Sequence, residues 1–160
     1  IKDNILNLYS VYKKSFSFLI MFYEKLYPTI KFYNLNISDT FGKNDKRKKL
    51  INTLRVNFKN NELTNIISSK LHMNLVNIID IINCVNLIIN KSIKSGNYSL
   101  VNSKNYSILE IINKHKKNNK KKIKVKWLGN EIIKEKIYMY KKVPGWKLYY
   151  SNLSTIINNI

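Results

Sequence analysis

The sequence predicts an α/β fold, and three observations predict it. Some segments repeat apolar residues at helical spacing, others alternate or cluster them as strands do, and the two kinds take turns along the chain between short polar turns. That order is what a parallel or mixed sheet with covering helices requires. With 160 residues and 44% hydrophobic side chains, the chain fits one domain, or one piece of a larger one, and can bury a continuous core.

From about Leu6 to Leu26, apolar residues such as Phe16, Leu19, Ile20 and Tyr23 recur every three or four positions, predicting a long helix that Pro28 ends. Ile30 to Ile37 follows as a strand with apolar residues on both faces, as a strand covered from two sides would have. Asp39 to Asp45 reads as a loop, and Leu50, Ile51, Leu54 and Phe58 predict a second helix behind it. Leu63–Ser68 and Leu71–Val76 are short strand candidates. Asn77 then caps the clearest helix, whose Ile78, Ile81, Ile82, Val85, Ile88 and Ile89 form an apolar face, with Asp80 favouring its positive end.

Gly96 closes that segment and Tyr98–Val101 makes another strand. Ser107 and Glu110 stand in the S-x-x-E arrangement that satisfies the first backbone donors of a helix carrying Ile108, Ile111, Ile112 and His115. Lys116 to Lys122 is a charged turn, and Lys122 to Trp127 alternates strictly, predicting an edge strand guarded by its lysines. Pro144-Gly145-Trp146 marks a turn, and Ser151 is read as the cap of a last short helix with Leu153, Ile156 and Ile157.

A formal charge of +20 is the strongest compositional oddity, and only Arg47 and Arg55 among 29 basic side chains are arginines. Such a charge suits nucleic acid or an anionic surface. The same chain lacks Ala and Gln and is full of Ile, Asn and Lys, the mark of an AT-rich coding sequence, which enriches lysine without selection for a polyanion. Cys84, the one cysteine, sits in an apolar helical pattern, so no disulfide or thiolate metal site is expected and a reducing cytoplasm fits. The apolar run Phe16 to Tyr23 is too short to span a bilayer. Neither His72 nor His115 has a partner at ligand spacing, so both are read as surface or packing residues and no metal is expected. Trp127 and Trp146 are expected to anchor core and turn. A start at Ile1 rather than Met suggests a fragment or a processed chain.

Tyr9-Ser10-Val11-Tyr12-Lys13 places a tyrosine and a lysine one helical turn apart, on one face. A phenol titrates near about 10, and an ammonium beside it favours the phenolate, making the pair fit for proton transfer. Y-x-x-x-K alone is a weak signal in a chain rich in both residues. Its surroundings sharpen it. Asn7 to Phe16 resembles the active-site helix of the NAD-dependent epimerase/dehydratase family, extended short-chain dehydrogenases/reductases acting on sugar nucleotides. Ser38 to Ile51 is similar to that family's F-D-T-Y-G-P-N-D-x-R-x-K-L-I segment, and Leu75 to Ile82 to its L-V-H-V-D-D-V-V helix start. Tyr98 to Ile112 resembles its strand followed by S-x-x-E, Pro144 to Leu148 resembles P-G-W-K-P, and Ser151 to Ile157 sits where its final helix would. The likeness is strongest to the CDP-sugar reductase branch, where Lys126-Trp127 and Lys134 to Ile137 fall in a region like W-G-x-R-P-Y-R-E-R-E-V.

The resemblance implies the carboxy-terminal part of a Rossmann-like doubly wound sheet plus a small α/β substrate-binding lobe. Residues 1–45 would end the Rossmann-like domain and 46–160 would be mainly the lobe, with 71–91 returning to the Rossmann layer. It implies Tyr9 as the proton-transfer residue and Lys13 as its tuner and a ribose ligand. Ser38 would lie at the cofactor, NAD or NADP, with Asp39 and Thr40 at the nucleotide-sugar substrate and Lys134 on its diphosphate. It also implies a homodimer in the intact protein, with Phe16, Leu19, Phe22 and Tyr23 divided between core and dimer contact. The departures are Lys43 for the family's proline, Asn77 for its histidine and Ile79 for its first aspartate. With four glycines in all, the chain has no glycine-rich turn to approach a pyrophosphate, so alone it is expected to be inactive. The rival readings are a small basic nucleic-acid-binding module and a decayed gene with the same fold but no activity.

Overall fold

The computed structural model describes residues 8–119, 123–135, 137 and 139–160. The expected start of the first helix at Leu6 and Asn7, the lysines Lys120 to Lys122 and Lys136 lie outside the described residues. The fold is a small α/β arrangement rich in parallel strands, as the alternating pattern requires.

The first helix, α1 (Leu8–Leu26), stops before Pro28, and none of its residues is buried. Ser10, Ser17, Ile20 and Glu24 are its half-buried positions, while Leu8, Tyr12, Phe16, Leu19, Phe22, Tyr23 and Leu26 are exposed. Its polar side is thus the less accessible one, and its broad apolar side faces outward. Strand β1 (Tyr33–Ile37) pairs in parallel with β6 (Gly96–Leu100), from Tyr33 opposite Gly96 to Ile37 opposite Leu100. It begins three residues later than the apolar run suggested. Among the described residues β1 has no strand on its other edge; Tyr33 to Asn36 are half-buried on both faces and only Ile37 is exposed.

The predicted loop after Ser38 contains a strand, β2 (Asp39–Phe41), which pairs in parallel with β5 (Leu75–Asn77). Helix α2 (Leu50–Asn60) buries Ile51, Leu54 and Phe58 at the helical spacing of its sequence. Strand β3 (Thr64–Ile66) pairs in parallel with β8 (Val125–Trp127), whose Lys126 is exposed between two partly buried apolar neighbours. Strand β4 (Lys70–Met73) lies between β7 (Tyr106–Ser107), antiparallel, and β9 (Ile132–Lys134), parallel. Helix α4 (Ile108–Asn119) begins where the Ser107 hydroxyl accepts the Glu110 N–H at 3.4 Å. The Glu110 carboxylate pairs with Lys114 one turn on, at 3.1 Å.

Helix α3 (Ile78–Asn90) starts as predicted, with the Asn77 side chain accepting the Ile79 N–H at 2.9 Å. Its faces differ from the prediction. Ile81 and Cys84 are buried beside Asp80, whereas Ile78, Ile82, Val85 and Ile89 are exposed. Burial also pushes the Cys84 thiol up to about 11, leaving it an inert packing group. Asp80 stands in the first turn as expected, and it also ties the carboxy-terminal segment to the helix. Fully buried, it accepts the N–H groups of Tyr149 (2.9 Å) and Tyr150 (3.0 Å) and the Ser151 hydroxyl (2.5 Å). Ser151 is therefore not the predicted cap, because its oxygen also accepts the Asn77 N–H at 2.8 Å. Asn152 caps α5 (Leu153–Asn158) instead, accepting the Thr155 N–H at 2.9 Å.

Two apolar clusters result. One gathers Phe41, Leu54, Phe58, Leu75, Ile108, Ile111, Ile112 and Ile156, with Trp127 against it. The other joins Val76, Ile81, Cys84, Tyr98, Leu100 and Val143, with Tyr33, Leu35 and Trp146 packed on it. Both tryptophans act as the expected anchors, Trp146 donating from Nε1 to the Asp80 carbonyl at 2.8 Å. Geometry demands glycine at three positions, one of them Gly145 with φ +77°. A Cβ on Gly42 would stand 2.7 Å from Ile78 Cγ2, and Gly96 has φ +144° at the start of β6.

Candidate functional site

The end of β1 turns directly into β2 at Ser38, so the chain delivers Ser38, Asp39 and Thr40 side by side to the rim of a cleft of about 550 Å³. Arg47 and Lys49, ahead of α2, form one wall. Leu71, His72 and Met73 of β4 with Ile133, Lys134 and Glu135 at the end of β9 form the other. Four of the residues singled out in the sequence, Ser38, Asp39, Thr40 and Lys134, thus share one cleft.

Charge in it is closely paired. Lys49 Nζ holds Asp39 at 2.5 Å, and Arg47 donates to Asp45 at 2.6 Å and to the Thr40 hydroxyl at 2.7 Å. The guanidinium of Arg47, bonded to Asp45, holds that carboxyl down at about 2. Behind them Arg55 donates to the carbonyls of Gly42, Lys43 and Asp45, clamping the 42–45 loop. Burial pushes the Glu135 carboxyl up, although it accepts the Asn74 N–H at 2.8 Å; the nearby Asp39 charge pushes the same way. Among the described residues, Ser38 Oγ is buried without a hydrogen-bond partner.

One acid-side consequence can be checked. Asp45 has a folded value below the ordinary carboxylate value of 3.8, so its contribution is present above that value and is lost as pH falls through about 2. Amide resonances of residues 42–49 are expected to shift in that window.

Tyr9 and Lys13 share a face as expected, with Lys13 Nζ 5.5 Å from the centre of the Tyr9 ring. They are not among the cleft-lining residues, and Tyr9 is 69% exposed. Sequence reasoning passed over Arg47, Lys49, Glu135 and His72 as site residues. Arg47 and Lys49 stand in the R-x-K of the quoted segment and Glu135 beside Lys134. His72, read as ordinary, carries no local signal. His115 matches its packing role, its ring tilted against Phe58 and its Nδ1 3.2 Å from the Ile157 carbonyl.

No protein-family model matches the chain, and no curated protein sequence does. Solved structures do match. UDP-glucuronic acid 4-epimerase from Bacillus cereus, in complex with UDP-glucuronic acid and NAD, superimposes with a TM-score of 0.77 at 16% identity, over 99% of this chain and 54% of that one. The chain has the fold of the carboxy-terminal part of such enzymes. dTDP-glucose 4,6-dehydratase from Bacillus anthracis with NAD gives 0.72 at 13% identity, over 95% and 51%. UDP-glucose 4-epimerase from Thermus thermophilus with NAD gives 0.72 at 13%, over 94% and 53%. The chain spans about half the length of these structures. Among the described residues no helix is long and apolar enough to cross a membrane.

Proposed function

We propose that this chain is the nucleotide-sugar-binding half of an NAD(P)-dependent epimerase, dehydratase or reductase. The observation that carries the reading is the order of the parts along the chain. A helix with an ammonium over a tyrosine ring leads into a strand whose end sets a buried, unpartnered Ser38 hydroxyl beside Asp39 and Thr40 in a cleft. The shared fold of the epimerases and dehydratases supports it.

In this reading Tyr9 moves the proton of a sugar hydroxyl, and Lys13 steadies the charge left on its oxygen and holds the cofactor ribose. Ser38 binds at the cofactor's reacting end. Asp39 and Thr40 meet the sugar, and Lys134 the diphosphate. NAD(P), when bound, supplies the hydride acceptor. Its pyrophosphate does not fit this chain, which has no glycine-rich turn to receive it, so that grip belongs to a complementary half. The open edge of β1 is where such a half would add its strand. The β1, α3 and β6 layer would belong to the dinucleotide-binding domain, and the cluster around α2 and α4 to the substrate lobe. The outward apolar side of α1, with Leu19, Phe22 and Tyr23, suits a homodimer contact.

The test is to titrate the isolated chain with UDP-, dTDP- and CDP-sugars while following its backbone amides by NMR. Saturable shifts confined to residues 37–40, 47–49 and 133–135 are expected. If none of these sugars moves those amides, the cleft is not a nucleotide-sugar site.

A further inference from the structure

We propose that His72 and Lys134 form a two-point site for phosphoryl oxygens, in which His72 binds as the imidazolium. The proposal rests on the nucleotide-sugar reading of the cleft and adds a residue and a protonation state to it. His72 lies opposite Lys134 in the parallel β4–β9 register, so the two side chains leave the same face of neighbouring strands, about 4.8 Å apart. Both line the cleft.

The other cations there are engaged: Arg47 with Asp45 and Lys49 with Asp39. Among the described residues, nothing in hydrogen-bonding or ion-pair range holds the Lys134 ammonium. The His72 ring is oriented by its own strand, with Nδ1 3.0 Å from the Lys70 carbonyl. A carbonyl can only accept, so that contact places the proton on Nδ1 and leaves Nε2 for a ligand. A neutral ring in this tautomer presents a lone pair at Nε2, which repels an ionised phosphoryl oxygen. Taking up a proton turns Nε2 into a charged donor.

The surroundings make that proton decisive. Lys70 lies two residues away on β4, Ser107 of β7 is the strand neighbour on the other side, and Lys134 and Glu135 come from β9. Asp39, Arg47 and Lys49 line the same cleft, with their charges paired. Glu135, whose N–H donates to the His72 carbonyl at 3.3 Å, opposes Lys134 in sign. A protonated His72 is what tips this wall toward an anion.

The chain has only two histidines, which makes the experiment clean. Titrating inorganic diphosphate into the intact 160-residue chain, with imidazole resonances followed by NMR, is expected to shift His72 saturably, its Nε2 signal moving toward the protonated form. His115, packed behind Phe58, stays still as an internal reference. His72→Gln and, independently, Lys134→Gln each weaken the apparent affinity about five- to tenfold. A stationary His72 while nucleotide sugars still move residues 37–40 overturns this proposal and leaves the broader reading standing. If neither probe perturbs the cleft, both fall. Joint, unsaturable movement of both histidines, or variants that bind as tightly as the wild type, means diffuse attraction to the lysine-rich surface and also overturns it.

Discussion

Replacing Asp80 by alanine is expected to destabilise the chain by about 3–5 kcal/mol, read as a lowered midpoint in urea with unchanged slope. The carboxylate is fully buried and accepts from two successive backbone N–H groups and from Ser151. Its loss strands those donors, and each buried donor left unpaired costs about 1–3 kcal/mol before relaxation. Ser151 would also lose the orientation in which it receives the Asn77 N–H, loosening the start of α3. Since a small domain has only about 5–15 kcal/mol in total, Asp80→Ala should be marginal at room temperature. Asp80→Asn keeps an acceptor oxygen and should lose about half as much. An Asp80→Ala protein as stable as the parent would show that the carboxy-terminal segment is held by its apolar contacts, Val143 and Trp146 among them, rather than by this carboxylate.

The second large effect is kinetic. In an assembly that supplies the dinucleotide-binding half, Tyr9→Phe is expected to lower kcat about 100- to 10,000-fold while the nucleotide-sugar KM changes little. The ring keeps its place without its hydroxyl, so binding survives and proton transfer does not. In the proposed mechanism the Lys13 ammonium, which lies over the Tyr9 ring 5.5 Å from its centre, steadies the charge developing on the phenol oxygen. Tyr9 is open to water here, and a dinucleotide-binding half would have to cover it for that field to act at full strength. An unchanged turnover number in Tyr9→Phe would remove Tyr9 from the mechanism.

Helices α2, α3 and α4 were legible because their signals are local: the spacing of Ile51, Leu54 and Phe58, the Asn77 cap, and Ser107 ahead of Glu110. What escaped depends on partners far along the chain. Strand β2 hides in an apparent loop because three residues suffice once β5 lies alongside. Isoleucine on both sides of α3 let periodicity find the helix without choosing its buried face, which Asp80 and Cys84 mark instead. Ser151 and Asn152 are both good caps, and a carboxylate from α3 decides between them. The cleft was half legible. Ser38, Asp39, Thr40 and Lys134 followed from motif resemblance, whereas His72 enters only through the pairing of β4 with β9, which no local pattern announces.

The glycine at position 42 carries a further message. Its hydrogen faces Ile78 at a distance where a methyl group would collide, and Gly96 holds a backbone angle that other residues rarely adopt. A side chain at either point meets a steric or backbone penalty, so Gly42→Ala and Gly96→Ala are each expected to destabilise the fold, read as a lowered midpoint in urea.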